Sequence, residues 1–107
     1  MKGGIIISAY FIANISIHDQ AEYDKYLYSV DEVFAKFNGK YLAIDEHPTV
    51  LEGAWNYTKV VLIEFPSEKE LRNWYESEEY QKILKYRLSG ALCDSLLVKG
   101  RTQDFIK

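Results

Sequence analysis

Hydrophobic residues along this chain alternate between two periods, and the order of the alternation leaves few folds open. Residues 8 to 17 set Ala9, Phe11, Ala13, Ile15 and Ile17 against Tyr10, Ile12, Asn14 and Ser16, the period of a strand with one uniformly apolar face. The period then lengthens. Tyr23, Tyr26, Leu27, Val30, Val33, Phe34 and Phe37 recur at three-and-four spacings, which predicts an amphipathic helix. Asp19 with Glu22 three residues on supplies its N-cap, and Asn38-Gly39 reads as its left-handed stop.

Residues 40 to 45 read as a second strand, Glu46-His47-Pro48-Thr49 as a break, and Val50 to Gly53 as a short continuation or separate edge piece. After the loop Ala54-Trp55-Asn56-Tyr57-Thr58, residues 59 to 65 carry the β-branched side chains that strands prefer, and Pro66 ends them. Ser67 with Glu70 forms a second capping pattern, opening a short helix that presents Leu71, Trp74 and Tyr75. Ser77 with Glu78 and Glu79 starts a further helical piece, and residues 93 to 99 give a last strand closed by Gly100. The order strand, helix, strand, strand, helix, strand predicts an α+β, ferredoxin-like domain over residues 8 to 100, a four-stranded antiparallel sheet with its helices on one face. Residues 1 to 7 and 101 to 107 are read as terminal extensions, the latter a tail or partner-swapped arm. The second sheet face, with Tyr10, Ile12, Val60 and Leu62, is then bare. A homodimer packed sheet to sheet is the simplest way to cover such a patch.

Composition agrees with one packed domain: 107 residues, 48% of them hydrophobic. Thirteen basic residues against 16 acidic ones leave no basic stripe for nucleic acid or an anionic membrane. RNA-recognition domains share this element order, but the segment Lys59 to Phe65 is aliphatic until its last residue and lacks their basic-glycine-aromatic motif. Lys2 followed by Gly3 to Ile17 imitates a signal peptide. Yet Ser8, Tyr10, Asn14 and Ser16 interrupt it with the period of a strand, and it is too short and polar to span a bilayer. A cytoplasmic location is the expectation, and the lone Cys93 fits a reducing compartment without requiring one.

Several blocks taken together resemble a known family: Ala9-Tyr10-Phe11-Ile12-Ala13-Asn14, Tyr41-Leu42-Ala43, Val50-Leu51-Glu52-Gly53-Ala54-Trp55, Val60-Val61-Leu62-Ile63-Glu64-Phe65-Pro66-Ser67, and Trp74-Tyr75-Glu76-Ser77 with Glu79-Tyr80 and Arg87. In order and spacing they resemble the domain-of-unknown-function family 1330, over roughly residues 8 to 100. The resemblance implies ferredoxin-like subunits paired into a dimeric α+β barrel. That superfamily includes cofactor-free monooxygenases, muconolactone-type isomerases and some haem enzymes. It implies no particular reaction. The chain departs from the pattern at Tyr57-Thr58-Lys59, where proline and arginine are more usual.

One charge is out of place. Arg87 falls on the apolar stripe formed by Tyr80, Ile83, Leu84 and Leu88, and a buried charge needs a partner. Glu64 and Asp94, on expected inner strand positions, are the candidates. Together with Asn14 and Tyr10 they would form a polar site inside the sheet-and-helix sandwich. In a catalytic reading Arg87 holds an oxyanion, Glu64 or Asp94 moves a proton, Tyr10 and Asn14 orient the ligand, and Trp55 covers the mouth. In a structural reading the same residues form a buried ion pair, or the arginine packs its stem and sends its head to water. Trp55, Trp74, Tyr75 and Tyr80 could floor an aromatic pocket, and the last three also fit the helix core stripe as packing residues. His18, beside Asp19, is either a general base or the exposed neighbour of a helix cap, and His47 is expected in solvent. Two distant histidines and one cysteine give no ligand spacing, so neither metal nor haem nor any other cofactor is expected. Cys93 reads as a core residue rather than a nucleophile. Two functions stay open: a cofactor-independent enzyme of isomerase or monooxygenase type acting on a compact aromatic or carboxylated metabolite, and a non-catalytic ligand-binding or structural homodimer.

Overall fold

The alternating segment at the start of the chain becomes an inner strand of the sheet. A computed structural model describes residues 7–101, with elements β1 (Ala9–Ile17), α1 (Gln20–Phe34), β2 (Lys40–Asp45), β3 (Lys59–Phe65), α2 (Glu68–Tyr75), α3 (Glu78–Gly90) and β4 (Ala91–Lys99). The strands lie in the order β2-β3-β1-β4, every pair antiparallel. This is the ferredoxin-like arrangement, with the second helix of the motif split in two at Ser77. No helix among the described residues is long and apolar enough to cross a membrane. Of the extensions expected at 1–7 and 101–107, residues 1–6 and 102–107 lie outside the described residues.

The helix starts form as their sequences suggest. Asp19, Ser67 and Ser77 each accept a hydrogen bond from the backbone N–H three residues on, a contribution of about 1 kcal/mol per cap. The end of α1 differs from expectation. It stops at Phe34, Ala35 is right-handed, and among the described residues only Gly53 has a positive φ. Gly39 is therefore not a left-handed stop. A Cβ there would stand 2.5 Å from the Phe34 ring and 2.7 Å from the Phe65 ring, so glycine is required by close packing. Residues 50 to 53 form no strand, and β4 begins two residues earlier than expected. The early start follows from an abrupt turn: the Gly90 carbonyl ends α3 by accepting the N–H groups of His18 and Asp19 at 2.9 and 3.0 Å.

Alternation along β1 buries Ala9, Phe11, Ala13 and Ile15 against the helices. Trp74 of α2 fills the centre of that layer, stacked on Phe65 and edge-on to Phe11 and Phe34 at centroid distances of 5.1–5.9 Å. The opposite face carries Tyr10, Ile12, Val60 and Leu62, and it continues into β4 with Leu92, 70% exposed, and Leu96, 62% exposed. An irregularity in β2 also matters. Tyr41 pairs with Ile63 and Ala43 with Leu62, so Leu42 is an extra residue in the ladder. The bulge puts Tyr41 and Ile44, three positions apart, on the same side as Ile63 and Val61, toward the helices.

Candidate functional site

A cavity of about 210 Å³ lies between the helix-facing side of the sheet and α1. β1 contributes Phe11, Ala13 and Ile15 to its wall, α1 contributes Tyr23, Tyr26, Leu27 and Val30, and the bulged β2 contributes Tyr41 and Ile44. Into this apolar and aromatic shell project two cations, Lys59 from the start of β3 and Arg87 from the last turn of α3. Both are buried: Arg87 is 2% exposed and Lys59 7%. Neither forms an ion pair among the described residues. The single carboxylate on the lining, Asp31, belongs to the exposed side of α1.

Arg87 is held by aromatic rings and a thiol in place of a carboxylate. Its guanidinium lies 5.6 Å from the Tyr26 ring centroid and 6.0 Å from that of Phe11, and Nη1 donates to the Cys93 sulfur. Nε is buried with no hydrogen-bond partner among the described residues. Burial opposes the charge, but the facing Tyr80, Tyr26 and Cys93 outweigh it and raise the pKa, so the group stays a cation. Burial also pushes the Cys93 thiol up, with Arg87 opposing, which keeps it protonated rather than nucleophilic.

Lys59 meets the Tyr23 ring, its Nζ 4.9 Å from the centroid. Burial pulls its ammonium pKa down, against a weaker upward pull from Glu46. The Tyr23 phenol is pushed up to about 12, chiefly by burial, with Arg87 pulling the other way. The sheet register ties the two cations together. Lys59 and Cys93 both pair with Ile15, one from each side. Two strand spacings, about 10 Å, separate their backbones on one sheet face, and Arg87 reaches that row through Cys93.

Of the residues singled out from the sequence, only Arg87 lines this cavity. Glu64 shares the parity of Val60 and Leu62, pairs with Tyr10, and accepts a hydrogen bond from the Tyr10 hydroxyl at 3.2 Å. Asp94 pairs with Asn14 and accepts from the Tyr57 hydroxyl. All four lie on the sheet face away from the helices. The expected association of Arg87 with Glu64 and Asp94 is therefore not formed, because the sheet itself stands between them. The bulge is in β2 and leaves the facing of β3 unchanged. Trp74 sits in the core beside the cavity's back wall without lining it, its Nε1 without a partner. Trp55 stands edge-on to Tyr57 at 5.2 Å in the loop before β3 and does not cover the mouth. His18 is exposed at the end of β1 beside a shallow depression that includes Glu46, His47 and Lys59. Leu88, placed on the stripe by spacing, is 57% exposed.

Sequence reasoning missed Lys59, Tyr23, Tyr26 and Tyr41 as a group. The signal for Lys59 was the one that exposed Arg87: a cation in phase with Val61, Ile63 and Phe65, the buried side of its strand.

The family model described as "Domain of unknown function (DUF1330)" matches residues 8–101. The chain belongs to this family. No curated protein matches this DUF1330 chain. Solved structures do. The RPA0582 protein of unknown function from Rhodopseudomonas palustris superposes with a TM-score of 0.69 at 18% identity, covering 87% of this chain and 80% of that one. SnoaB from Streptomyces nogalater, described as a cofactor-independent oxygenase, has a TM-score of 0.61 at 14% identity, covering 89% and 94%. A dimeric ferredoxin-like protein of unknown function from Thermobifida fusca has a TM-score of 0.56 at 15% identity, covering 87% and 89%. At these identities the likeness shows the fold, the ferredoxin-like arrangement described above.

Proposed function

We propose that this DUF1330 protein is a sheet-to-sheet homodimer in which each subunit binds a compact anionic metabolite in its helix-side cavity and acts on it without a cofactor. The observation that carries the proposal is the pair Lys59 and Arg87, two buried cations on one aromatic cavity, neither of them in an ion pair among the described residues. Uncompensated buried charge is costly. A fold keeps it where an incoming anion supplies the missing partner.

The chemistry follows from the same groups. Arg87 offers a fixed guanidinium to a carboxylate or enolate oxygen, and charge developing on that oxygen is stabilised best where water is excluded. Lys59, with its ammonium pKa lowered by burial, is suited to exchange a proton with the bound ligand. Tyr23, Tyr26 and Tyr41 suit a planar, conjugated body, and a cavity of about 210 Å³ suits a ligand of one small ring or a short chain. The description of SnoaB as a cofactor-independent oxygenase supports an enzyme by analogy of fold. The exposed Leu92 and Leu96 on the open face, and the dimeric description of the Thermobifida fusca protein, support the dimer. In that assembly Tyr10, Asn14, Glu64 and Asp94 would belong to the subunit contact.

A second reading, ligand binding without turnover, is favoured by the scarcity of acid-base groups: Asp31 is the single carboxylate on the lining, and neither histidine reaches it. A thermal-shift screen of carboxylates, phenols and quinones tests the shared premise, since a ligand of the folded state raises its melting temperature. Stabilisation that disappears in Arg87→Met supports the site. No stabilisation by any of the three classes refutes it, and a stabilising ligand left unchanged by purified protein favours the second reading.

A further inference from the structure

We propose that Lys59 is a carbonyl-condensing amine and that the cavity takes a short oxo acid, its carboxylate on Arg87 and its keto carbon at the Lys59 Nζ. The inference rests on the anion-binding reading of the cavity and narrows it to a substrate class.

Three observations carry it. The Lys59 amine is unlike the ion-pairing lysines among the described residues: Lys25, Lys36, Lys82 and Lys99 each meet a glutamate on the surface. Lys59, in no ion pair among the described residues, meets the face of Tyr23 on a cavity wall, with 7% of its surface exposed. An amine without a carboxylate partner, in apolar surroundings, keeps a larger share of its nucleophilic, neutral form. The charged and titratable groups around it are Tyr23, Tyr26, Asp31, Tyr41 and Arg87 on the cavity lining and Glu46, His18 and His47 around the outer depression. Of these, Glu46 opposes deprotonation.

The second observation is spacing. Lys59 and Cys93 flank Ile15 in one row, and Arg87 is anchored on Cys93. The Lys59 and Cys93 backbones are about 10 Å apart, and the rings that meet the two cations, Tyr23 and Tyr26, are neighbours with centroids 5.8 Å apart, so amine and guanidinium lie along one cavity wall where a short oxo acid finds a partner for each end. The third is the unpartnered Nε of Arg87, a buried donor still available to a carboxylate.

The step balances without an added reagent. The Nζ lone pair forms a bond to the keto carbon, the C=O π electrons move to oxygen, and that oxygen takes a proton, giving a carbinolamine. The nitrogen then gives up its proton, the C–OH bond breaks with the hydroxyl leaving as water after protonation, and the nitrogen lone pair completes a protonated imine. Nothing is oxidised or reduced, and water reverses the sequence.

The test is reductive trapping on the full chain. The protein is incubated separately with pyruvate, acetoacetate, 4-oxopentanoate and phenylpyruvate, and with acetone as a carbonyl lacking a carboxylate, in the presence of borohydride, and adducts are mapped by peptide mass spectrometry. The expected result is a secondary amine at Lys59 in preference to Lys25 and Lys36, because burial favours the neutral amine at Lys59 while the ion pairs with Glu22 and Glu79 hold the other two as ammonium. Lys59→Arg, which keeps the charge and removes the nucleophile, is expected to lose the adduct yet retain stabilisation by a simple carboxylate. Arg87→Met is expected to lower trapping of the oxo acids but not of acetone. No adduct at Lys59 with Arg87-dependent stabilisation intact overturns the imine and leaves the anion site standing. Loss of both overturns both. Equal trapping in Arg87→Met overturns the carboxylate anchor. The wild-type mapping stands even where a variant fails to fold.

Discussion

The Arg87 guanidinium lies over the Tyr26 ring, 5.6 Å from its centroid, while the Tyr26 hydroxyl is hydrogen-bonded to that of Tyr80 at 2.7 Å. A buried cation thus rests on the tyrosine pair that ties α1 to α3. Rings and a thiol hold its position without cancelling its charge, so the attraction that a carboxylate partner would have used up is left for a ligand.

Replacing Arg87 with methionine separates the two demands on that side chain. An unpaired buried charge exchanged for an apolar chain of similar length is expected to leave the free protein as stable or more stable, by up to about 1–4 kcal/mol. Urea denaturation measures this. Stabilisation by small carboxylates is expected to vanish in the same variant. A loss of about 3–5 kcal/mol with carboxylate binding unchanged would mean that Arg87 serves the fold instead.

Two glycines test how tightly the helix layer is packed. A Cβ on Gly39 meets the Phe34 and Phe65 rings at 2.5–2.7 Å, and one on Gly90 meets the Tyr23 nitrogen at 2.6 Å and the Asp19 oxygen at 2.8 Å. Gly39→Ala is expected to cost about 1–3 kcal/mol, the usual range for overpacking. Gly90→Ala is expected to cost more, because its neighbours are backbone. Equal denaturation midpoints for the two variants would contradict this ordering.

The open sheet face yields a third expectation. Leu96 pairs with Ile12 in the middle of that face and is 62% exposed, so Leu96→Glu is expected to place a charge at the centre of the proposed dimer contact. Sedimentation equilibrium should show dimers for the native chain and monomers for the variant. A native chain that sediments as a monomer at tens of micromolar, on the order of concentrations where moderate interfaces persist, would remove the sheet-to-sheet assembly.

Tyr23 predicts a pH effect. Burial holds its phenol at about 12 in the native state, against about 10 in the unfolded chain. Above pH 10 the unfolded state has released this proton while the native state still holds it. Stability from Tyr23 is therefore present below about 10 and is lost as pH rises through about 12. Tyr23→Phe, which cannot ionise, should lose less stability than the native chain over that alkaline window. Parallel stability curves above pH 10 would refute the assignment.

The sequence specified the sheet well where chemistry marks both ends of a strand. β2 and β3 occupy residues 40 to 45 and 59 to 65 as read, bounded by the break near Pro48, the Trp55 loop and Pro66. Gly39 was misread because Asn-Gly carries two meanings, a left-handed turn or the absence of a side chain, and only the packed Phe34 and Phe65 rings distinguish them. Arg87 was legible as a charge out of phase with its surroundings. Its neighbours were not, because pairing it with Glu64 and Asp94 required knowing which sheet face each occupied relative to the helices. Lys59 bore the same mark as Arg87 but stands at a strand's first position, where a polar residue is ordinary.

The bulge at Leu42 lies in β2, an edge strand with β3 as its one neighbour in the sheet among the described residues. Tyr41 and Ile44 therefore shape the cavity from the part of the sheet least constrained by the rest of the fold. Substitutions or small register changes there can resize the chamber while the cationic row across Ile15 stays in place. Ligand preference and charge recognition are in that sense inherited from different strands, and a lineage could alter the first without losing the second.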